Sequence, residues 1–141
     1  MNQLLGKASR RILITGSSSY VGMALIKDLS RTNQLFCIDK KIIKGNNFPN
    51  VEYFTSDVMS EKKLINIKKQ IEKKIKKIDI IINCFVDQNY ACFEKQTLKN
   101  FKNSITTNVC GTFLITKIFY KLLKKSKDPQ IINFGSIYGM D

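Results

Sequence analysis

The sequence predicts an α/β protein in which helices cover both faces of a doubly wound parallel sheet of about five strands. Two observations predict this class. Short apolar runs alternate with amphipathic helical stretches along the whole chain, and polar residues follow the runs. The 141 residues are enough for one hydrophobic core, so we predict a single domain over residues 1–141.

The first predicted strand and the turn after it carry the most informative motif. Residues 12–14 form an apolar run typical of a strand buried on both faces, and T-G-S-S-S-Y-V-G follows at 15–22. Gly16 permits a sharp turn, and Gly22 removes a side chain where the next helix, around 23–29, touches the sheet. The first turn of that helix would present N–H groups to a pyrophosphate. Only two glycines of G-x-G-x-x-G are present, so a simple turn with a serine N-cap is the alternative.

A second buried strand, residues 35–39, ends in an acid. Asp39 lies seventeen residues after Gly22, close to the ~20-residue offset of the carboxylate that holds an adenosine ribose. A carboxylate accepts hydrogen bonds from both ribose hydroxyls and repels a 2′-phosphate, which favours NAD over NADP. Lys40 and Lys41 weaken this preference because they could hold a phosphate. The alternative for Asp39 is a turn residue that ends the strand.

The rest of the chain continues the alternation of strands and helices. In chain order we predict a strand at 51–55, a helix at 61–78, a strand at 79–83, a short helix at 93–101, a long helical stretch at 99–125 and a strand at 130–134. Asp57 could accept from an adenine amino group while Val58 packs on the ring, although Asp57 could equally cap the next helix.

The long helical stretch has an apolar side that we predict to face the core. That side consists of Phe101, Ile105, Val109, Phe113, Ile118, Leu122 and Leu123. Asn108, Gly111 and Thr112 interrupt it. A polar asparagine in a core-facing helix is costly unless it is satisfied, so Asn108 requires a reason beyond packing.

Polar residues recur at the carboxyl ends of the predicted strands, where parallel sheets bind ligands at the switch point of strand order. These residues are Thr15, Asp39, Asp57, Asn83 and Ser136. Their convergence favours a cofactor site over a generic turn.

Charge and cysteine content limit the remaining functions. The net charge of +13 raises the possibility of a nucleic-acid partner, but only Arg10, Arg11 and Arg31 are arginines, and sequence-specific readers rely on arginine. A solvated lysine face is favoured, so we predict neither a nucleic-acid nor a membrane partner. Four cysteines without a C-x-x-C pair, and no histidine, predict reduced, mostly buried thiols and no metal site. No long apolar run or secretory h-region is present, so we expect a cytoplasmic protein.

Taken together, these motifs resemble the short-chain dehydrogenase/reductase family. The segment at 15–22 is similar to T-G-x-x-x-G-x-G or, in the sugar-nucleotide branch, T-G-x-x-G-Y-I-G, with Ser19 where glycine is usual. D-I-I-I-N-C-F-V at 79–86 is similar to D-I-L-V-N-N-A-G, and T-N-V-C-G-T-F at 107–113 to N-V-x-G-T-F. I-N-F-G-S-I-Y-G at 132–139 is similar to I-N-I-S-S-x-x-G.

The resemblance implies a three-layer Rossmann-type sheet of strand order 3-2-1-4-5 and hydride transfer between a nicotinamide cofactor and a carbonyl or alcohol substrate, a sugar or sugar nucleotide being one class. It makes Asn108 the catalytic asparagine that distorts its helix and anchors a proton-relay water, and Ser136 the serine that hydrogen-bonds the substrate. The implied cofactor-binding residues are Gly16, Ser18, Ser19, Tyr20, Val21, Gly22, Asp39, Lys40, Asp57, Val58, Asn83, Cys84, Phe85 and Asn108.

Two departures from the family pattern affect the prediction. Cys84, Phe85 and Val86 replace N-A-G beside the nicotinamide ribose, and the family's Y-x-x-x-K lies farther beyond Ser136 than the chain extends. Tyr138 is too close to Ser136 to replace that tyrosine. We therefore expect a C-terminally incomplete dehydrogenase without turnover of its own, whose full-length form is a homodimer or tetramer. The alternatives are a non-catalytic dinucleotide-binding domain and a fragment of a sugar-nucleotide epimerase or dehydratase.

Overall fold

Five parallel strands form one sheet of order β3-β2-β1-β4-β5, as predicted. The computed structural model describes residues 9–41, 48–88 and 91–135. Its elements in chain order are β1 (Arg11–Thr15), α1 (Tyr20–Leu29), β2 (Gln34–Asp39), β3 (Val51–Thr55), α2 (Glu61–Lys74), β4 (Ile80–Asn83), a 3₁₀ turn (Phe93–Lys95), α3 (Leu98–Ile105), a π-helical turn (Thr106–Cys110), α4 (Gly111–Leu123) and β5 (Gln130–Asn133).

Two apolar clusters fill the space between the sheet and its helices. On one face, Leu13 of β1 and Phe36 of β2 belong to the cluster that holds Ile71 of α2 and Phe119 of α4. On the other face, alternate residues of the same strands pack with α1; they include Ile12, Ile14, Leu35 and Ile26. Successive side chains of a strand point to opposite faces, so a strand covered on both sides has consecutive apolar residues, as β1 has from Ile12 to Ile14.

The chain reverses its direction across the sheet between β1 and β4. It first moves outward from β1 through β2 to β3, then returns to place β4 on the other side of β1. The N–H of Gly16 donates to the carbonyl of Ile38 at 2.9 Å, and the N–H of Cys84 donates to the carbonyl of Thr15 at 2.8 Å. These bonds hold the loops that follow β1 and β4 on either side of a crevice, the place where such sheets bind ligands.

The predicted end of the second helix is wrong by one turn. The sequence pattern placed the end at Ile78, but α2 ends at Lys74 and Ile75 is extended, with φ −133° and ψ 154°. Ile75 and Ile78 are nevertheless buried in the core. Their spacing continues the helical pattern because the linker to β4 also has to bury apolar side chains.

The predicted core face of the long helical stretch is wrong over its first half. Phe101, Ile105, Val109 and Phe113 are exposed in the described part of the chain. Burial against the sheet begins at Gly111 and continues through Ile115, Phe119, Leu122 and Leu123 of α4. No residue of α3 or of the π-helical turn is buried, so this part of the stretch does not pack on the sheet, and its apolar side faces outward.

At the amino ends of the strands, a buried carboxylate joins three segments. Asp79 accepts from the N–H of Arg11 at 3.0 Å and from the hydroxyl of Ser126 at 2.7 Å. The ammonium of Lys77 lies 2.9 Å from the oxygen that also accepts from Ser126, while Arg11 bonds the other oxygen. Burial raises the pKa of Asp79, but the hydrogen bonds from Lys77, Ser126 and Arg11 and the charge of Lys77 lower it by more, to about 2.

Candidate functional site

The turn between β1 and α1 forms an open cradle of backbone. Gly16 has φ +70°, a left-handed conformation that side chains rarely adopt. The hydroxyl of Ser19 accepts from the N–H of Gly22 at 3.1 Å and so caps α1. The first turn of α1 has no acidic side chain. Its remaining N–H groups have no carbonyl within the helix to bond, and such groups favour an anion.

Gly22 sits where α1 crosses the turn. A Cβ atom at this position would lie 2.5 Å from the carbonyl oxygen of Gly16 and 2.9 Å from the Cα of Ser17. Both neighbours are backbone atoms of the turn itself, so they cannot rotate away. The close approach of helix and turn therefore depends on glycine at position 22, as the sequence predicted.

Asp39, the last residue of β2, reaches back to the turn. One of its oxygens accepts from the N–H of Ser18 at 2.9 Å, and the other accepts from the N–H of Lys41 at 3.3 Å. The carboxylate is half-buried, and its contacts fix its direction beside the cradle. It stands next to the anion-binding turn, where a ribose carboxylate is expected.

Asp57 and Lys40 form an ion pair at 3.1 Å on the adjoining part of the rim. Asp57 also accepts from the N–H of Met59 at 2.8 Å. Burial raises the pKa of Asp57, but the N–H of Met59 and the ammonium of Lys40 lower it by more, so the pKa lies below its ordinary value. Val58 is buried beside this pair. Asp57 thus stabilises a short turn before α2, close to the capping role that was its alternative.

Asn108 lies in the π-helical turn and holds the loop after β4. Its side-chain oxygen accepts from the N–H of Asp87 at 2.8 Å, and its amide nitrogen donates to the carbonyl of Asp87 at 3.1 Å. Ser104, one turn earlier, donates to the Asp87 carboxylate at 3.0 Å. Asn108, the polar residue that interrupts the apolar side of the helical stretch, therefore has its partner in the loop after β4. It makes these bonds from within the π-helical turn.

A groove of about 250 Å³ runs along the rim and brings most of these residues together. Its walls are formed by Gly16, Ser18, Ser19, Asp39, Lys40, Ser56, Val58, Phe85, Val86, Asp87 and Thr107. Seven of these residues belong to the predicted cofactor set. The ring of Phe85 also lies against Gly111, where an added Cβ would sit 3.2 Å from the ring. Gly111 therefore accommodates the phenylalanine that replaces the alanine of the family motif.

Several predicted site residues lie outside this wall. Tyr20 and Val21 are exposed at the start of α1. Cys84 is buried, and burial raises the pKa of its thiol to about 11. Ser136 lies outside the described residues.

The side-chain amide of Asn83 forms hydrogen bonds with the neighbouring strands. Its oxygen accepts from the hydroxyl of Thr15 at 2.7 Å, and its nitrogen donates to the side chain of Asn133 at 2.8 Å. These bonds join the carboxyl ends of β1, β4 and β5 in one row, in which Thr15 and Asn83 are buried and Asn133 is exposed. Asn83 is thus at the predicted end of its strand, but its amide group is used between strands.

Sequence reasoning missed Ser56, Val86, Asp87 and Thr107, which also line the groove. Asp87 could have been found in the sequence because, like Asp39 and Asp57, it is an acidic residue at or shortly after the end of a predicted strand. Thr107 directly precedes the asparagine of the quoted motif. Val86 stands at the glycine position of the family's N-A-G, which was the signal for it, whereas Ser56 carries no signal that separates it from ordinary loop residues.

A larger depression, of about 440 Å³, lies at the opposite end of β2 and β3. Its polar side chains already bond within the chain. Asn33 accepts from the N–H of Arg10 at 3.0 Å, Asn50 donates to the carbonyl of Ser30 at 3.2 Å, and Glu52 pairs with Lys74 at 2.6 Å. These contacts hold the strands in place and leave those side chains with partners inside the chain. The rim groove is therefore the better candidate site.

The sheet order and its helices define a Rossmann-type α/β domain, and comparison with known proteins gives its family. The family model described as short chain dehydrogenase matches residues 10–141. The chain belongs to the short-chain dehydrogenase/reductase family, as the motifs indicated.

Individual relatives agree with this assignment. An uncharacterised oxidoreductase of Saccharomyces cerevisiae is 32% identical over 136 residues, which are 90% of this chain and 42% of the relative. Farnesol dehydrogenase of Aedes aegypti is 25% identical over 99% of this chain and 60% of its own length. A short-chain dehydrogenase of Leptospira borgpetersenii, crystallised with bound NAD⁺, superposes with a TM-score of 0.83 at 30% identity and covers 95% of this chain and 54% of that chain.

The chain spans about half the length of the curated relatives it matches. None of the helices in the described part of the chain combines the length and the apolar character needed to cross a bilayer.

Proposed function

We propose that this chain binds NAD along the rim groove and forms the cofactor-binding part of an oxidoreductase. The observation that carries the proposal is the Asp39 carboxylate, held 2.9 Å from the N–H of Ser18 beside the glycine turn. A carboxylate in that place accepts from both ribose hydroxyls and repels a 2′-phosphate. Lys40 has its ammonium 3.1 Å from Asp57, which reduces its availability to a phosphate and adds support for NAD over NADP.

The residues present fit an adenine dinucleotide. The first turn of α1 and the glycine cradle would hold the pyrophosphate, Asp39 the adenosine ribose, and Val58 the adenine. When bound, the nicotinamide ring would supply the site that accepts or donates hydride. The loop after β4, fixed to the π-helical turn by Asn108, would border the other half of the cofactor.

For the whole protein we propose transfer of hydride between the cofactor and a small-molecule alcohol or carbonyl compound. In this proposal Asn108 positions the loop after β4, since both ends of its amide bond the backbone of Asp87. We also propose a cytoplasmic location. Cys37, Cys84, Cys92 and Cys110 are all free thiols, and free thiols persist in a reducing compartment.

Binding measured against NAD and NADP tests the proposal. Titrations of the purified chain, followed by NADH fluorescence and calorimetry, should give tighter binding of NAD than of NADP. The variant Asp39→Ala should weaken NAD binding about tenfold and remove most of the discrimination, because two charge-assisted hydrogen bonds are lost. Tighter binding of NADP by the unmutated chain would contradict the choice of cofactor.

A matched control separates the position of the carboxylate from the loss of one negative charge. Asp28 is exposed in the last turn of α1, away from the rim. Asp28→Ala changes the net charge by the same amount as Asp39→Ala and should leave both affinities within about twofold, since exposed charges far from a ligand are screened.

A further inference from the structure

The loop after β4 places an acid, Asp87, on the wall of the groove, and β4 and β2 lie on opposite sides of β1. A dinucleotide bound at a switch point crosses it, with one half on each side of β1. Asp39 marks the adenosine side at β2, and Asp87 lines the groove on the β4 side. On the proposed function, on which this inference rests, the β4 side receives the nicotinamide half.

We infer that the Asp87 carboxylate favours the oxidised, positively charged nicotinamide over the reduced, neutral one. This residue would therefore set which redox form of the cofactor the groove prefers. The charge of the adenosine half does not change with the redox state of the cofactor, so a carboxylate on that side cannot distinguish the two forms.

Asp87 is fixed in place by three hydrogen bonds. Its N–H and carbonyl both bond the amide of Asn108, at 2.8 and 3.1 Å, and its carboxylate accepts from the hydroxyl of Ser104 at 3.0 Å. The residue is half-buried. Two of these bonds fix the backbone of Asp87, and the bond from Ser104 directs its carboxylate toward α3.

Asp87 and Asp57 differ in the charged groups that surround their carboxylates. Asp57 has the Lys40 ammonium at 3.1 Å. Within 9–41, 48–88 and 91–135, no lysine or arginine lies within 4 Å of the Asp87 carboxylate. Its partner, the Ser104 hydroxyl, is neutral. Asp87 therefore retains a negative charge that a cationic ring could compensate.

The expected preference follows from the charge on the ring. In alcohol oxidation the C–H bond of the substrate carbinol carbon would break, and its hydrogen and electron pair would form a new C–H bond on the ring and cancel the positive charge, while the hydroxyl proton would leave separately. A fixed carboxylate attracts the ring before this step and not after it, with an effect of about fivefold in a partly solvated groove. A groove that prefers the oxidised form makes the bound reduced form a better hydride donor, which favours carbonyl reduction.

The test compares three ligands on the 141-residue chain: NAD⁺, NADH and ADP-ribose, which lacks the nicotinamide. The variant Asp87→Asn removes the charge and retains an oxygen that can accept from Ser104. We expect NAD⁺ to bind about fivefold more weakly to this variant, with NADH and ADP-ribose each changed less than about twofold.

Two control variants assign the effect to the charge at this position. Asp57→Asn removes a charge at the adenosine end and should alter NAD⁺ and NADH binding by the same factor. Ser104→Ala removes the hydrogen bond but leaves the charge, so the ratio of NAD⁺ to NADH affinity should stay at the parent value.

The outcomes are distinguishable. Equal changes for all three ligands in Asp87→Asn, or an unchanged ratio of NAD⁺ to NADH affinity, would mean that Asp87 only anchors its loop, and the inference would be overturned. Failure of the unmutated chain to bind ADP-ribose would instead overturn the proposed function, and this inference with it.

Discussion

Aspartates at the two ends of the sheet show two uses of the same side chain. At the amino ends, Asp79 is buried and each of its oxygens has partners within the chain: Arg11, Ser126 and Lys77. At the carboxyl ends, Asp39 is half-buried on the wall of a groove. A carboxylate satisfied inside the protein holds segments together, whereas one held in position at a groove can still accept hydrogen bonds from a ligand. The number of partners and the exposure of an aspartate, not its residue type, thus distinguish a structural role from the binding role proposed for Asp39.

Removal of Asp79 should produce the largest effect and confine it to stability. Asp79→Ala leaves the Arg11 N–H and the partly exposed Lys77 ammonium without their acceptor, and loss of hydrogen bonds to a buried charged group costs about 2–3 kcal/mol. Chemical denaturation should show a lower free energy of unfolding by that amount. Asp128 pairs with Arg10 at 3.3 Å at the exposed surface, so Asp128→Ala should cost less than about 1 kcal/mol. Similar losses of stability in the two variants would mean that the buried Asp79 contributes no more than the exposed Asp128.

Acid should weaken the same end of the sheet. The pKa of Asp79 falls from 3.8 to about 2 on folding, so its contribution is present in full above pH 4 and is lost as the pH falls through 2. At ~1.4 kcal/mol per unit, this depression is worth about 2 kcal/mol. Other carboxylates titrate in this range, so the parent should be compared with Asp79→Asn. The variant should lose less stability than the parent between pH 4 and pH 2, and parallel curves would disprove the assignment.

At the carboxyl end, a single methyl group should reduce binding as well as stability. Gly22→Ala places Cβ 2.5 Å from the Gly16 carbonyl oxygen, and overpacking of this kind costs about 1–3 kcal/mol. Because the turn that moves is the proposed pyrophosphate cradle, NADH affinity measured by fluorescence should fall by more than about tenfold. A Cβ on Gly135 would meet nothing within 4 Å, so Gly135→Ala should change neither quantity. Normal NADH binding by a destabilised Gly22→Ala would remove the cradle from the proposed site.

The sequence predicted the sheet better than it predicted the contacts at its rim. Strands buried on both faces contain consecutive apolar residues, so β1, β2 and β4 could be recognised, and Asp39 followed from its distance to Gly22. The exposure of α3 could not be predicted, because hydrophobic periodicity shows that a helix has an apolar side but not whether another element covers that side, and no residue of α3 is buried. Asn83 illustrates the other limit: its position was predictable, but its bonds to Thr15 and Asn133 depend on which strands are neighbours.

The π-helical turn has a consequence for how this helix tolerates change in length. Each residue of an α-helix advances the direction of its side chain by about 100°. A π-helical turn takes up one extra residue in about the arc of an ordinary α-helical turn, so deletion of one residue between Thr106 and Cys110 would restore regular winding with Ser104 and Gly111 still on about the same faces. A single-codon deletion there would leave the flanking helices in place and change where Asn108 presents its amide to the loop after β4.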